Sequence, residues 1–326
     1  MVAKAISAVV VVLLIVALGL GMYWSDEPQT WSVDEVARAE AEELGDKFAI
    51  GYATTSTLIK LAETILHKPG GYLTNDVIPP GIWLDNMPNW EFGVLVQVRD
   101  MSRALRKDIA RSQSTSAEDP DLAKAEPQFN FDSDSFIFPS TEGEYETGIK
   151  FLKRYRQRLA DPDSQSSQFY ARSDNLRNWL ADIETRLGSL SQRLSTSVAK
   201  DQLNIDLAGD ASAQRSTAMS DEQVVKTPFL ELDDVFYEAR GSAFALIHLL
   251  KAVEIDFRDV LMDKNSLVSV RQIIRELELT QQSVSSPMIM NGSGFGMMAN
   301  HSLVMANYIS RANAAIIDLR ELLAQG

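Results

Sequence analysis

The 326-residue chain contains no cysteine and only three histidines, His67, His248 and His301. The absence of cysteine excludes disulfide bonds, thiolate metal sites, thiol nucleophiles and a lipid-modified amino-terminal cysteine. No histidine follows a glutamate by three residues, so the Glu-x-x-His pair of di-metal helical bundles is missing. The H-E-x-x-H, G-x-S-x-G and phosphate-loop patterns are missing as well. These absences favour a non-enzymatic protein that needs no cofactor.

An excess of positive charge is also absent, because 45 acidic residues outnumber 31 basic ones and leave a formal net charge of −14. Binding to nucleic acid requires a basic surface that displaces phosphate counterions, so the composition argues against a nucleic-acid partner. It also argues against broad electrostatic adhesion to anionic lipids. Hydrophobic residues make up 45% of the chain, which is ample for a buried core.

The longest apolar run is AISAVVVVLLIVALGLGMYW, residues 5–24, which contains no charged residue. At about 1.5 Å per residue, a helix of this length crosses the hydrocarbon core of a bilayer. Tyr23 and Trp24 end the run, as the aromatic residues of a membrane interface do. The run therefore predicts an uncleaved signal anchor rather than a cleaved signal peptide.

The charges that flank this run predict its orientation. Lys4 precedes it, whereas acidic residues follow it at positions 26 and 27. The basic end of a single membrane span stays in the cytoplasm. We therefore expect residues 1–4 to be cytoplasmic, residues 5–24 to cross the membrane once, and residues 25–326 to form a domain on the far side.

Apolar residues recur with helical spacing through most of that domain. The pattern predicts helices over 32–47, 54–66, 90–114, 141–160 and 165–200, from Thr227 onward, around 267–277 and over 295–323. Two of them carry heptad seams, in which apolar residues alternate at three and four positions from Phe169 to Leu194 and from Phe229 to Val260. No convincing strand pair is visible, and residues 201–226 have the composition of a mobile linker. The prediction is an all-α, elongated helical bundle with heptad-type packing behind one membrane helix.

Two long connections interrupt the helices, at His67–Asn89 and at 115–140. The first holds four prolines and three glycines, and a loop of this length is usually functional or well packed. Its segment GIWLDNMPN offers Trp83, Asp85 and Asn86 as a small docking site. The alternative interpretation is that Trp83 only plugs the end of the bundle.

Several stretches together indicate a family. They are KPGGYLTNDVIPPG, WLDNMPNWEFGVLVQVRDMSRALR, QFNFDSDSF, LDDVFYEARGSAFALIHLL and NGSGFGMMANHSLVMANYISRANAAIIDLR. With these motifs, nearly the whole chain resembles a family of uncharacterised, single-pass proteins anchored in the inner membrane of Gram-negative bacteria. The resemblance implies that the domain after the anchor lies in the periplasm. It implies no particular activity and no catalytic residues.

An acidic cluster follows Thr227-Pro228. Glu231, Asp234 and Glu238 are spaced i, i+3 and i+7, which places them on one helix face. Carboxylate oxygens so arranged suit a hard cation. The alternative is a solvated acidic face, which the amino-terminal end of a helix favours.

The carboxy-terminal region is rich in methionine. Met297 and His301, with Val304 and Tyr308, are predicted on one inward stripe of the last helix. Thioether and imidazole ligands suit cuprous copper. Methionine is also an adaptable core residue and favours pliable partner-binding surfaces, so these alternatives stay open.

Taken together, the residues favour a membrane-anchored helical scaffold or adaptor that binds another envelope protein or itself. The alternative is an envelope protein or enzyme that binds a metal or small ligand through the acidic cluster or the Met297/His301 region.

Overall fold

The computed structural model describes residues 2–113, 115–161, 163, 166–198, 200–203, 222–284, 286, 288–293 and 296–325. The fold is all-α, as predicted. The helices are α1 (Val2–Trp24), α2 (Val33–Leu44), α3 (Tyr52–His67), α4 (Asn86–Ala104), α5 (Leu122–Phe129), α6 (Thr141–Ala160), α7 (Ser173–Ser195), α8 (Leu232–Asp256), α9 (Arg258–Asp263), α10 (Leu267–Leu279) and α11 (His301–Ala324). Short 3₁₀ turns occur at Gly81–Trp83 and Phe229–Glu231, and α4 ends in a π turn, Leu105–Ile109.

Helix α1 carries the predicted membrane segment. It is long and apolar enough to cross a membrane, and no other helix in the described part of the chain meets that test. Nearly all of its side chains are exposed, and only the carboxy-terminal end of the helix contacts the body formed by α2–α11. The body has its own core, so the exposed apolar surface of α1 is available to lipid.

The body helices run up and down between two ends. One end holds the carboxy-terminal tip of α1 and the connections α3–α4, α5–α6, α7–α8 and α10–α11. We call it the α1 end. There, Asn89 Nδ2 donates to Asp234 Oδ1 at 2.7 Å and joins the starts of α4 and α8. At the opposite end, Gly51 N donates to Asp256 Oδ1 at 2.9 Å and joins the start of α3 to the end of α8.

Helix α8 forms the centre of the body. Every residue from Ala239 to Leu250 is buried, so α8 is enclosed on all sides rather than along one seam. It lies very close to α4, because Gly241 and Gly93 bring the two backbones into contact. A Cβ atom on Gly241 would overlap the carbonyl oxygen of Trp90, and one on Gly93 would overlap that of Glu238. Only glycine allows this separation of the helices.

Several local predictions need correction. The α7 seam is confirmed from Leu176 to Leu194, but the helix is shorter than 165–200 and begins at Ser173. Helix α8 begins after the 3₁₀ turn rather than at Thr227-Pro228, which leaves Phe229 exposed instead of in the seam.

Two further differences lie in segments predicted to be irregular. Helix α5 lies inside the stretch 115–140, where its buried Leu122, Ala125 and Phe129 mark one helical face. An antiparallel pair, Lys200–Leu203 with Glu222–Val225, falls in the predicted linker, and residues 204–221 lie outside the described part. These strands are short, and the fold class is unchanged.

Candidate functional site

The carboxy-terminal tip of α1 rests on the connection between α3 and α4. A Cβ atom at Gly21 would lie 3.5 Å from Pro80 Cβ and 3.7 Å from Leu84 Cδ2, which is ordinary van der Waals contact, so this turn of α1 lies against the connection. One turn later, the Trp24 ring covers Gly70, whose φ of +87° is one that residues with a Cβ rarely adopt. The end of α1 is therefore packed against the body, and this part of the long loop is packed against α1.

A fully buried ion pair holds that loop in place. Lys68 Nζ lies 2.6 Å from Glu91 Oε1, and the side chains are 1% and 0% exposed. Glu91 also accepts hydrogen bonds from the backbone N–H groups of Leu73 and Thr74 and from the Thr74 hydroxyl. Burial raises the pKa of Glu91, while Lys68 and these donors oppose that shift. Both oxygens of the Glu91 carboxylate are thus bonded to residues of the loop, and these bonds fix the loop to α4.

A second ion pair, between buried Arg240 and half-buried Glu27, fixes the segment that follows α1. Arg240 on α8 is 6% exposed, and its Nε donates to Glu27 Oε1 at 2.9 Å. Its Nη1 donates to the carbonyl oxygens of Thr280, at 2.9 Å, and Gln282, at 2.8 Å. One guanidinium therefore joins the exit of α1, the middle of the bundle and the end of α10. A planar fork of donors suits such a junction.

The predicted docking residues lie beside this junction. Trp83 ends the 3₁₀ turn and is 52% exposed, so it does not plug the bundle. Asp85 caps α4, accepting a hydrogen bond from the backbone N–H of Asn86 at 2.9 Å. Asp85 is exposed and Asn86 is half-buried. The three residues therefore form one accessible corner of the α1 end.

The acidic cluster meets the same corner. Glu231 is exposed, Asp234 accepts the hydrogen bond from Asn89, and Glu238 is engaged by Arg193 through two bonds of 2.8 and 2.6 Å. Both oxygens of Glu238 are thus occupied. In the described part of the chain, no three His, Asp or Glu side chains converge as a metal site requires. The hard-cation interpretation stays a prediction without geometric support.

Like charges crowd together around this cluster. Partial burial, together with the neighbouring carboxylates of Asp233, Asp85, Glu231 and Glu238, raises the pKa of Asp234 to about 6. Burial also raises the pKa of Asp233. The corner therefore carries a concentrated negative charge that a cationic group would relieve.

The predicted metal ligands Met297 and His301 do not share a helix. Met297 precedes α11, which begins at His301 and not near 295, and its side chain is fully exposed. The predicted inward stripe is wrong, because Val304 is 53% exposed and the buried face runs through Met305 and Ile309. His301 Nδ1 accepts a hydrogen bond from the Met290 backbone N–H at 3.0 Å. One imidazole nitrogen is therefore already used.

His301 instead lines a cleft of about 540 Å³ between α8, α11 and the segment after α10. Phe236, Met305 and Tyr308 contribute apolar and aromatic walls, and Arg240 also lines the cleft. A second cleft, of about 810 Å³, begins on the other side of Arg240 and reaches the segment after α1. Clefts of this size accommodate small organic ligands.

The loops of the α1 end also expose many apolar side chains. They come from four separate connections and are Val77, Ile78, Ile82, Trp83, Phe136, Ile137, Phe138, Phe229, Leu230, Met288, Met297 and Met298. Single exposed apolar residues are common on protein surfaces, but a concentration of them at one end of the molecule requires an explanation.

Sequence reasoning found Trp83, Asp85 and the acidic cluster but missed the two ion pairs. Lys68, Glu91 and Arg240 resemble ordinary surface charges in the sequence. The available signal was their setting: Glu91 directly follows the buried Trp90, and Arg240 lies inside the longest apolar heptad seam. A charge that interrupts a buried stretch usually has a buried partner.

The family model described as an uncharacterized protein conserved in bacteria, DUF2333, matches residues 1–326. No curated protein and no solved structure matches the chain.

Proposed function

We propose that this chain, which belongs to the DUF2333 family of uncharacterised bacterial proteins, is a membrane-anchored helical scaffold or adaptor that binds a protein partner in the cell envelope. The observation that carries the proposal is the packed junction between α1 and the body. Gly21 packs against the α3–α4 connection, and the Arg240–Glu27 pair ties the following segment to α8. A body held in one orientation at a membrane suits the presentation of a binding surface.

The proposed location in the cell follows from the charges at the two ends of α1. Lys4 lies before the apolar helix, and Asp26 and Glu27 lie after it. By the positive-inside tendency, residues 1–4 are cytoplasmic and the body is periplasmic, with α1 crossing the bacterial inner membrane once.

The partner surface consists of Asp85 and Asn86, which follow Trp83 in the same loop, together with the acidic cluster. Its crowded carboxylates favour a partner that brings Lys or Arg side chains, because opposite charge lowers the repulsion that raises the pKa of Asp234. Self-association through this surface is disfavoured, since it would juxtapose like charges.

Site-specific photo-crosslinking in intact cells tests this proposal. A photoreactive residue replaces Asn86 in the full chain, and a matched one replaces Val268, which is 73% exposed at the opposite end. We expect a discrete crosslinked product from position 86 and none from position 268. The combined changes Asp233→Asn and Asp234→Asn should remove that product.

The matched control for charge is Asp259→Asn with Asp263→Asn, which removes two acidic residues on α9 at the opposite end. This variant should keep the product. Equal products from both photoreactive positions, or a product indifferent to Asp233 and Asp234, would contradict the proposed surface.

A second candidate function is the binding of a small ligand or metal, favoured by the cleft of about 540 Å³ beside His301. Native mass spectrometry and metal analysis of the full chain, purified in detergent without chelator, test it. A bound species that is lost in His301→Ala and retained in His67→Ala, a change at an exposed histidine, would support this function. If the purified protein carries no bound metal or ligand, this second function is contradicted.

A further inference from the structure

The exposed apolar residues of the α1 end lie at the level where α1 leaves the membrane. Gly21 is three residues before the end of the helix, about 4.5 Å along its axis. Pro80 and Leu84 pack against Gly21, so the turn between them is at the boundary of the hydrocarbon. That turn carries Ile82 and Trp83, which are 58% and 52% exposed.

Hydrogen bonds align a second apolar loop with this turn. The Tyr72 hydroxyl donates to the Ser133 carbonyl at 2.9 Å, and Asn75 Nδ2 donates to the Ser135 carbonyl at 3.1 Å. They fix the α5–α6 connection beside the α3–α4 connection. Ile137 and Phe138 follow at once, and Phe138 is 98% exposed.

A third apolar group is tied to the same place. The bond between Asn89 and Asp234 joins the start of α4 to the start of α8. Phe229 and Leu230 precede α8 and are 68% and 81% exposed. Three separate connections thus bring exposed aromatic and branched side chains to the exit of one apolar helix.

The opposite end of the body differs. In the parts of its connections that the structure describes, the exposed large apolar residues are aliphatic and include no aromatic ring: Leu44, Ile50, Met262 and Val268. Trp and other aromatic side chains concentrate at membrane interfaces, where an apolar ring meets the headgroups. Contact of the α1 end with a membrane interface accounts for this asymmetry between the ends.

We infer that the α1 end rests in the membrane interface, with Ile82, Trp83, Ile137, Phe138, Phe229 and Leu230 inserted into the leaflet that α1 leaves. The bilayer, and not a protein, covers these side chains. The inference rests on the proposed function only in that α1 spans the membrane. It assigns Trp83 to lipid and leaves Asp85 and Asn86 for a protein partner.

Insertion of this kind is driven by apolar burial and not by charge. The chain carries a net charge of −14, and Asp85 and Glu231 lie near the inserted loops. Anionic lipid is therefore not required, and contact with a neutral bilayer should be insensitive to salt.

The absence of cysteine makes a direct test possible in the full chain. Single changes Ile82→Cys, Phe138→Cys and Leu230→Cys are labelled with a small fluorophore, and the protein is reconstituted into phosphatidylcholine vesicles with or without brominated acyl chains. Val268→Cys is the matched control, and Leu14→Cys in the middle of α1 shows that the anchor is inserted.

We expect brominated lipid to quench the labels at positions 82, 138 and 230, with emission shifted to the blue, and to leave position 268 unquenched. Salt should not change this pattern. Labels at 82, 138 and 230 that behave like position 268, while position 14 is quenched, would overturn the inference. The anchored scaffold could still stand in that case, because the quenched position 14 would show that α1 spans the bilayer.

Discussion

The buried Lys68–Glu91 pair allows a sharp test of how the loop under α1 is held. The change Lys68→Met keeps most of the side-chain volume and removes the ammonium group. It deletes the 2.6 Å contact to Glu91 and the 2.7 Å bond from Nζ to the Gly71 carbonyl. Glu91 then remains as a buried carboxylate without a counter-charge.

The expected cost follows from burial. Removing one member of a buried ion pair typically costs about 3–5 kcal/mol. Two charge-assisted hydrogen bonds at about 1.5–3 kcal/mol each lead to the same range. The matched change Lys251→Met breaks a pair of similar length, 2.7 Å, whose side chains are 31% and 46% exposed. It should cost less than about 1 kcal/mol.

The effect should depend on pH with a defined sign. Burial raises the pKa of Glu91 in the folded chain, and loss of Lys68 raises it further. The folded variant then binds a proton more tightly than the unfolded chain, so its stability falls as pH rises above 4.5, the usual pKa of a glutamate. The deficit of Lys68→Met should be smallest near about pH 4.5 and should grow as the pH rises towards neutral.

Urea unfolding of the full chain in mild detergent, followed by circular dichroism at both pH values, measures these free energies. A deficit at neutral pH no larger than that of Lys251→Met would refute the reasoning. A deficit that does not change with pH would refute the assignment of the cost to the uncompensated Glu91 carboxylate.

Two other positions lead to further predictions. Gly241→Ala should destabilise the fold by about 1–3 kcal/mol or more in urea unfolding, because its Cβ would overlap the Trp90 carbonyl oxygen and force α4 from α8. Gly188→Ala on α7 should not destabilise it, because a Cβ there would lie 3.6 Å from Asn313 Nδ2, an ordinary van der Waals contact. Equal effects of the two changes would contradict the close crossing. His248 accepts a hydrogen bond from the Trp31 backbone N–H at 3.1 Å, and burial lowers its pKa to about 4 from 6.5. The unfolded chain therefore binds the proton more tightly, so about 3 kcal/mol of stability should be lost as pH falls from 6.5 to about 4. Chemical unfolding across that range should show this loss, and His248→Gln should weaken it; an unchanged pH dependence in the variant would contradict the assignment.

Much of the fold could be predicted because helical periodicity is local. The apolar run of α1, the α6 boundaries at 141–160 and the α7 seam all follow from residues a few positions apart. Errors arose where local signals compete. Thr227-Pro228 is a good helix start, but the chain makes a 3₁₀ turn there and begins α8 at Leu232, which leaves Phe229 exposed.

The candidate site was predictable only in part. Trp83, Asp85 and Asn86 could be found because prolines and an aromatic residue are conspicuous in a long loop. Their neighbourhood could not, because Asp234 lies 145 positions from Asn89. The predicted stripe of Met297 and His301 failed because it assumed a helix from 295, whereas α11 begins at His301.

The sequence by itself determined the helical class, the long apolar helix α1 and the acidic charge, since these depend on composition and on spacing within one or two turns. Only the tertiary structure decided which charges are buried and which loops meet. Arg240 and Glu27 are 213 residues apart, and their pairing depends on how the segment after α1 packs against α8. The physical reason is that burial of a polar group becomes favourable only when distant segments supply its partners together. The same packing brings the exposed apolar loops to the end of the body where α1 emerges.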